Sequence, residues 1–400
     1  MTDLSLEELG LPLIHAVDGL ADAGLAPPPD RHGQSVRAWV RTLGGIQKEG
    51  VTLSGLTGRA WRFASDEGAH LGGHDAAPNP LSYVSVGMGA FFMTELRALA
   101  KARGIALRNP VLVLENFYYR DGSFPKGTMV SGALSPEVSL TCEGDADPED
   151  LHRLLMDAVA AAPVNGLVRD EKISLFTLTH NGVQIDPVEV AALSVPAYAD
   201  PGDPIGALRP APGALVASPL AERTESEDEV VRRITANPPL APVLDGTKKL
   251  LHLRTTCRVR PDGTYDCLRE QFAQSSSTWT FVVDDRPDHA RAIAPDAASY
   301  FAIGVAFCFM TQVGRYSHMA KHPVTGYRVV QDLHFTLGGA SSGSGKGGTA
   351  DPAETHVFID TDVDDDTARR IVGVAERTCF LHALCRDRAK VRIRREAIAG

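Results

Sequence analysis

The residues of this chain best able to perform covalent chemistry are its six cysteines. A cysteine thiolate is a strong nucleophile and can be oxidised reversibly to a sulfenic acid or a disulfide. Two of the six, Cys308 and Cys379, stand apart because the chain carries a second copy of the sequence around each, with Phe91 and Ala162 in their places. A buried cysteine can be purely structural, but the joint presence of both thiols in one copy alone favours a chemical role.

The internal similarity that reveals these copies runs at a constant offset of 217 positions. Residues 77–94 share eight identities in eighteen positions with residues 294–311. Chance would give roughly one or two identities at ordinary residue frequencies. The offset is kept further on, where Asp147 meets Asp364, so the two copies need no net gap. Similarity at a fixed spacing indicates a tandem duplication.

The duplication and the proline content divide the chain into four predicted regions. These are an N-terminal helical lead-in (1–30), a repeat without the two cysteines (31–200), a proline-rich linker (201–244) and a repeat with both cysteines (245–400). Nine prolines between Val195 and Gly246 exclude a continuous helix or central strand in that stretch. Ser226 and Glu229 have capping-box spacing, which predicts one short helix at 226–235.

Each repeat is predicted to contain a β-meander, a buried helix, a strand pair, a second helix and a final strand. In the second repeat, residues 296–321 form the longest helical stretch and carry apolar side chains on every face of its first half, which indicates a core helix. Another helix is predicted from Asp365 to about Arg377. The glycine- and serine-rich residues 338–349 lack the P-loop spacing, so a flexible strand connection is predicted there.

Charge and composition exclude several classes of protein. The formal net charge is −10 and no basic tract is present, which argues against nucleic acid or an anionic membrane surface as a partner. The acidic N-terminal stretch does not have the pattern of a secretory signal, and no run of eighteen apolar residues predicts a membrane span. We therefore expect a cytoplasmic protein, in which the cysteines are kept reduced.

Three motifs resemble those of the OsmC/Ohr family. Residues 72–92 (GGHDAAPNPLSYVSVGMGAFF) are similar to the family signature, in which Gly-Gly, Pro-x-Pro and a helix of small residues lead to a cysteine. Residues 294–308 (APDAASYFAIGVAFC) keep that spacing and end on the cysteine. Residues 372–384 (VGVAERTCFLHAL) resemble the family's second cysteine motif. The resemblance covers both repeats but not the lead-in or the linker.

The resemblance implies an α+β fold in which strands wrap round buried central helices. The family assembles as an intertwined homodimer with active sites at the subunit interface. A tandem duplication of the OsmC-like fold would then form an intramolecular pseudo-dimer with a single thiol pair, and association into homo-oligomers stays open.

The resemblance also implies a thiol-dependent peroxidase that reduces organic hydroperoxides. Cys308 would be the peroxidatic thiol and Cys379 the resolving one. The expected partners are a small-molecule substrate, either an organic hydroperoxide or another electrophile, and an external dithiol or lipoyl-type reductant. No further cofactor and no metal are expected.

The other site residues follow from the same resemblance. In the family an arginine just before Asp-Gly holds the thiolate, and Arg260 occupies that place here, with Arg258 on the same strand face as the alternative. Ser82 and Ser299 stand where family peroxidases carry a glutamate that orients this arginine. Two further binding candidates are Phe91, which replaces the thiol in the first repeat, and His382, a proton acceptor near the thiol pair.

Two other functions are compatible with these departures from the family pattern. Loss of the glutamate leaves open a different cysteine reaction, such as sulfur or acyl transfer in a specialised pathway. Phe91 together with the missing glutamate is also compatible with a non-catalytic pseudoenzyme that binds an apolar small molecule. The Cys379, His382 and Cys385 run could provide soft zinc ligands with Cys308, but metal knuckles normally come in pairs, so a metal is not expected.

Overall fold

The computed structural model describes residues 4–124, 126–143, 147–246, 248–273, 276–322 and 324–394. Residues 1–3 of the predicted lead-in and 395–400 of the predicted second repeat lie outside the described residues. Within the described ranges the fold is mixed α+β, with eight α-helices and two mixed sheets.

Two long helices dominate the α-helical part of the fold. The helices are α1 (Leu6–Leu9), α2 (Pro80–Arg103), α3 (Pro148–Ala161), α4 (Pro163–Arg169), α5 (Glu227–Ala236), α6 (Ala297–Ala320), α7 (Asp365–Thr378) and α8 (Phe380–Arg386). The first residues of α6, α7 and α8 lie 217 positions after those of α2, α3 and α4, and each pair has equal length.

The larger sheet has ten strands in the described residues. They are β1 (Ile14–Asp18), β2 (Gly33–Thr42), β3 (Lys48–Ser54), β4 (Ala60–Ser65), β8 (Leu175–His180), β9 (Val183–Ile185), β10 (Ala191–Ala192), β11 (Arg209–Pro210), β16 (Val324–Thr336) and β17 (Glu354–Thr361). The strand order is β10-β8-β17-β16-β2-β3-β4-β1-β11, with β9 paired to β8. The β2-β3-β4 meander therefore pairs with strands from far along the chain.

The smaller sheet has eight strands in the described residues. They are β5 (Arg108–Asp121), β6 (Val130–Ala133), β7 (Glu137–Glu143), β12 (Ala221–Glu225), β13 (Lys249–Val259), β14 (Tyr265–Gln271), β15 (Thr278–Val283) and β18 (Arg392–Ile393). The order is β12-β15-β14-β13-β5-β7-β18, with β6 paired to β5. Here the meander of the second half pairs with a strand of the first half, so each sheet is built from both halves.

Helices α2 and α6 pack against each other in the core between the sheets. The larger sheet covers α6 through β2, β3 and β16, and the smaller sheet covers α2 through β5, β13 and β14. The two helices cross at Gly87 and Gly304, where a Cβ atom on Gly87 would lie 2.7 Å from the Ala297 carbonyl oxygen and one on Gly304 would lie 2.9 Å from the Pro80 carbonyl oxygen. The absence of side chains at this crossing allows the backbones to approach closely.

The helix starts follow their sequence signals. Asn79 caps α2 and Pro80 is its first residue, while Asp296 and Asp364 cap α6 and α7 by accepting backbone N–H bonds. Ser226 and Glu229 form the predicted capping box of α5. The predicted helices at 226–235, 296–321 and 365–377 are therefore confirmed within one or two residues.

Two predicted regions differ in their secondary structure. The lead-in is helical only at Leu6–Leu9, and residues 14–18 form β1, which pairs with β4 and places Ile14 and Val17 in the interior. The proline-rich linker also contributes strands, because β11 pairs with β1 and β12 pairs with β15. Short edge strands need few ladder hydrogen bonds, so prolines beside them are tolerated.

One helix of the described part, Ala297–Ala320, is long and apolar enough to cross a membrane. In the folded protein, 94% of the most apolar 18-residue stretch of this helix is buried. A helix in a protein core meets the same criterion, so this length and composition are weak evidence for a membrane span.

Candidate active site

The thiols of Cys308 and Cys379 lie in contact. Cys308 is on α6, and Cys379 is the N-cap residue of α8, with both side chains at most 3% exposed. Burial and hydrogen-bond contact with Cys308 raise the pKa of Cys379 well above its ordinary value, and backbone N–H groups of His382 and Leu381 oppose this shift. The fold thus brings together two cysteines that are 71 positions apart in the sequence.

Cys308 opens onto a cavity of 380 Å³. One wall is the face of α6 that carries Cys308, Thr311, Gln312 and Arg315, which recur at helical spacing. The remaining walls come from both halves of the chain. They include Glu67, His70, Leu71, Asn79, Pro80, Leu81, Arg120, Leu250, Leu251, Gln271 and Phe380. A second recess of 420 Å³ adjoins this cavity and shares His70, Leu71 and Arg315 with it.

A buried carboxylate and a buried amine lie beside the cysteine. Glu67 follows β4, and one of its carboxyl oxygens accepts a 2.7 Å hydrogen bond from the Thr311 hydroxyl. Lys48 begins β3, is 1% exposed and donates a 2.8 Å hydrogen bond to the Ile46 carbonyl oxygen. Lys48 interacts electrostatically with both Glu67 and Cys308.

Burial and mutual attraction act in opposite directions on this pair. Burial lowers the pKa of Lys48, and the nearby negative charges of Glu67, Asp66 and Cys308 oppose that shift. Burial raises the pKa of Glu67, and Lys48 and the Thr311 hydrogen bond oppose that shift. Burial thus disfavours the charged form of each group and the charge of its partner favours it, which is a common arrangement in active sites.

Tyr118 adds a hydroxyl group near both thiols. It lies on β5, is fully buried, and its hydroxyl has no hydrogen-bond partner among the described residues. Burial, together with the proximity of Cys308, Cys385 and Cys379, raises its pKa well above the ordinary value. A protonated phenol here is a hydrogen-bond donor close to the thiol pair.

The structure does not bring Arg260 or Arg258 to this cavity. Leu251 of β13 lines the cavity, and Arg258 lies about 23 Å further along the same extended strand. Arg260 follows in an exposed turn that packs near α2, where Arg97 donates a 3.1 Å hydrogen bond to the Gly263 carbonyl oxygen. The reason is that β13 reaches the cavity only with its first residues and then continues along α2, so its last residues lie away from Cys308.

The other predicted residues occupy varied surroundings. Ser82 donates to the Asn79 side chain, 3.1 Å away, and so lies just behind a cavity residue. Ser299 is fully buried on α6, and its hydroxyl has no hydrogen-bond partner among the described residues. Phe91 packs against Phe335 with ring centroids 5.5 Å apart.

His382 lies in an aromatic environment beside the thiol pair. Its ring packs between Phe176 and Phe309, with centroids 5.4 and 5.5 Å away, and neither ring nitrogen has a partner among the described residues. Burial lowers its pKa to about 3. The ring is therefore neutral at neutral pH, and its protonation is strongly disfavoured in the folded state.

We expect His382 to make the protein sensitive to acid. Its pKa is depressed in the folded state, so its contribution to stability is present above pH 6.5 and is lost as the pH falls towards 3. Between pH 7.5 and pH 5 this amounts to about 2 kcal/mol of unfolding free energy. In urea titrations at these two pH values, the unfolding free energy of His382→Phe should fall by about 2 kcal/mol less than that of wild type. His289→Phe, a control in a partly exposed turn, should match wild type, and an unaltered pH dependence in His382→Phe would contradict the assignment.

The residues around Phe91 partly mirror those around Cys308. Thr94 donates a 2.8 Å hydrogen bond to Asp285, as Thr311 does to Glu67. Asp285 follows β15 in the way that Glu67 follows β4. The mirrored position therefore keeps a hydroxyl and a carboxylate but has an aromatic ring in place of the thiol.

Sequence reasoning missed Lys48, Glu67 and Tyr118. All three precede the linker, whereas the predicted catalytic partners of Cys308, namely Cys379 and Arg260, lie in the second repeat. Lys48 opens β3, whose sequence KEGVTLS carries polar residues at both ends, so no local signal marked this lysine as a buried charge.

A second group of ligand-type side chains lies on the outer face of the larger sheet. Asp332, His334 and Glu354 are buried, and their ligand atoms lie within 4.8 Å of one another. Arg37 donates two 2.7 Å hydrogen bonds to Asp332, and Arg31 binds both Glu354 oxygens at 2.5 and 3.1 Å. Because each carboxylate is already balanced by an arginine, we interpret this group as an ion-pair network.

Comparison with known proteins identifies one part of the chain. No curated protein matches the chain. A family model described as OsmC-like protein matches residues 288–394, the segment that contains Cys308, Cys379 and helices α6 to α8. Residues 288–394 therefore form an OsmC-like domain.

Proposed function

We propose that this protein is a thiol-dependent peroxidase that reduces organic hydroperoxides, with Cys308 as the peroxidatic and Cys379 as the resolving cysteine. The observation that carries the proposal is the contact between the two thiols at the wall of a cavity that a small molecule can occupy. The OsmC-like domain supports it, because thiol peroxidases are typical of the family that the sequence resembles.

The first step would consume the hydroperoxide. The Cys308 thiolate attacks the terminal oxygen of R–O–OH, the O–O bond breaks, and Cys308 becomes a sulfenic acid while an alkoxide leaves. The alkoxide takes up a proton and departs as the alcohol. The buried Tyr118 hydroxyl lies near both sulfur atoms, and it would donate a hydrogen bond to the sulfenic acid that forms on Cys308.

The next steps would regenerate the enzyme. The Cys379 thiol condenses with the sulfenic acid, which forms a Cys308–Cys379 disulfide and releases water. An external dithiol, such as a lipoyl-type reductant, then reduces the disulfide by thiol exchange and is itself oxidised to a disulfide. A cytoplasmic location suits this cycle, because the thiols must return to the reduced form.

We assign the cation and the carboxylate of the site to Lys48 and Glu67. A thiolate in a buried site needs a nearby positive charge, and Lys48 is in electrostatic contact with Cys308. Glu67 is held by Thr311 on the same helix face as Cys308. A carboxylate beside the cysteine therefore comes from the first half of the chain, although Ser82 and Ser299 occupy the family's glutamate position.

We further propose that the chain arose by tandem duplication and folds as an intramolecular pseudo-dimer. The equal lengths of the three helix pairs at an offset of 217 residues support this, as does the exchange of strands between sheets. Phe91 then marks a site that has lost its thiol.

The peroxidase proposal is tested by counting thiols after one equivalent of an organic hydroperoxide. Wild type should lose two thiols, and intact mass should show one disulfide between Cys308 and Cys379. Cys379→Ser should hold a trappable sulfenic acid on Cys308, and Cys308→Ala should keep its remaining thiols. If both thiols of wild type survive excess hydroperoxide, the proposal is wrong, and the cysteines act on another electrophile or the cavity only binds a ligand.

A further inference from the structure

The cavity beside Cys308 carries positive charge that no described carboxylate balances by direct contact. Arg120 enters from β5 and Arg315 from α6, and neither forms an ion pair with an acidic residue in the described part of the chain. Arg315 is held by neutral groups instead. It donates a 2.9 Å hydrogen bond to the Gln312 side chain, and its guanidinium carbon lies 4.8 Å from the centre of the Phe124 ring.

The positive groups also repel one another. Burial lowers the pKa of Arg315, and nearby Arg120 adds to this effect, while Glu67 opposes it. Burial, Arg120 and Arg315 all lower the pKa of His70, which lies between the cavity and the adjoining recess. Like charges held close together destabilise the empty site, and a bound anion would offset that cost.

A third arginine adds to the positive charge near the cavity. Arg269 is completely buried, and it donates to the Asn79 side chain, 3.1 Å away, and to the Ser277 carbonyl oxygen, also 3.1 Å away. These acceptors are uncharged, and burial lowers the pKa of Arg269 to about 9. Asn79 lines the cavity, so Arg269 lies directly behind its wall.

The acidic contribution to the cavity is small. Glu67 is the one acidic residue among the described residues that line it, and its carboxyl group is bonded to Thr311. Lys48 and Arg315, both nearby, oppose the upward shift that burial causes in the pKa of Glu67, so this one carboxyl group already faces several positive groups. The whole chain carries a net charge of −10, so this cavity is a local exception in an acidic protein.

Apolar side chains complete the cavity. They are Leu71, Leu81, Leu250, Leu251 and Phe380. A volume of 380 Å³ is within the range of small-molecule sites, which typically combine an apolar lining with a few placed polar groups.

We propose that the substrate of Cys308 carries an oxyanion group, a carboxylate or a phosphate ester, which Arg120 and Arg315 bind while an apolar body packs on the leucines. This inference rests on the proposed function, since it takes Cys308 as the reacting thiol. Arginine suits the task because its planar donors match both types of oxyanion.

Two alkylating reagents of nearly equal size test the charge preference. Iodoacetate is an anion and iodoacetamide is neutral, and with either one the Cys308 sulfur forms a bond to carbon and releases iodide. Peptide mass spectrometry of the full chain gives both alkylation rates at Cys308. We expect the ratio of the iodoacetate rate to the iodoacetamide rate to fall about tenfold in Arg315→Gln and in Arg120→Gln. Arg315→Lys, which keeps the charge, should retain most of the wild-type ratio.

The control for these variants is Arg153→Gln. Arg153 is exposed on α3 and outside both recesses, so its replacement should leave the ratio unchanged. Equal ratios in all variants, with Cys308 still reacting with iodoacetamide, would overturn the anion proposal and leave the peroxidase proposal standing. If neither reagent modifies Cys308 in the folded protein, the peroxidase proposal fails with it.

Protection experiments identify the oxyanion. Heptanoate and the n-alkyl phosphate of the same chain length are compared as inhibitors of iodoacetamide labelling, with heptanamide as the neutral reference. Stronger protection by heptanoate assigns a carboxylate, and stronger protection by the phosphate assigns a phosphate ester. Protection by heptanamide that equals both anions would contradict the proposal.

Discussion

Replacing Lys48 with methionine is expected to slow the alkylation of Cys308 by iodoacetamide at pH 7 by about 10- to 100-fold. The Lys48 ammonium is a buried positive group that interacts electrostatically with Cys308, as Arg315 also does, and methionine fills a similar volume without charge. The reacting species of a cysteine is the thiolate, and a nearby cation stabilises its negative charge, so removal of the ammonium should slow the reaction. Stopped alkylation followed by peptide mass spectrometry measures the rate.

Replacing Glu67 with glutamine should change the same rate in the opposite direction. The amide keeps a hydrogen-bond acceptor for Thr311 but removes the negative charge that disfavours a thiolate and competes for Lys48. We expect a several-fold faster alkylation at pH 7. Lys101→Met, at the exposed end of α2, is the control and should match wild type. Changes of the same sign in the Lys48 and Glu67 variants would rule out this electrostatic account.

Alanine at Gly87 is expected to lower the unfolding free energy by about 3 kcal/mol, and alanine at Gly304 should have a similar effect. A Cβ atom at Gly87 would lie 2.7 Å from the Ala297 carbonyl oxygen and 2.8 Å from the Phe301 amide nitrogen. A Cβ atom at Gly304 would meet the Pro80 carbonyl oxygen and the Val84 amide nitrogen at 2.9 Å. Backbone atoms of a packed helix cannot rotate away, so the helices must separate and the core loses contacts.

Gly89 provides the matched control, since it lies two residues from Gly87 on the same helix. A Cβ atom there would meet the nearest side-chain atom, on Thr255, at 3.5 Å, which is an ordinary contact. Gly89→Ala should therefore be neutral or stabilise by up to about 1 kcal/mol through the better helix propensity of alanine. Urea denaturation of the three variants measures the difference. If Gly89→Ala lowers the unfolding free energy as much as Gly87→Ala, the effect does not come from the close approach of the α2 and α6 backbones at Gly87.

Much of the fold could be predicted from the sequence because its helices carry strong local signals. The caps Asn79, Asp296 and Asp364 and the apolar character of α6 define three helices from a few neighbouring residues. The secondary structure of the lead-in could not be predicted in this way. Residues 14–18 form β1 only by pairing with β4, and neighbouring residues in the sequence do not indicate that partner.

The pairing of the two thiols could be predicted from the sequence, but the charged residues around them could not. The first copy lacks both thiols, and this pattern predicted a shared role for Cys308 and Cys379, which do lie together. Their charged neighbours depend on which sheet covers which helix. That choice places Lys48 and Glu67 beside α6 and carries Arg260 to the region of α2, and it is decided by pairing between distant strands.

The origin of the cavity walls in both halves of one chain affects how the site responds to dilution. A site shared between separate subunits exists only at concentrations where they associate, and its occupancy falls when the protein is diluted. Here Arg120 and Arg315 are joined by the same polypeptide, so their encounter is intramolecular and occurs at a fixed effective concentration. The site therefore assembles by a first-order process, and its completeness does not depend on how much protein is present.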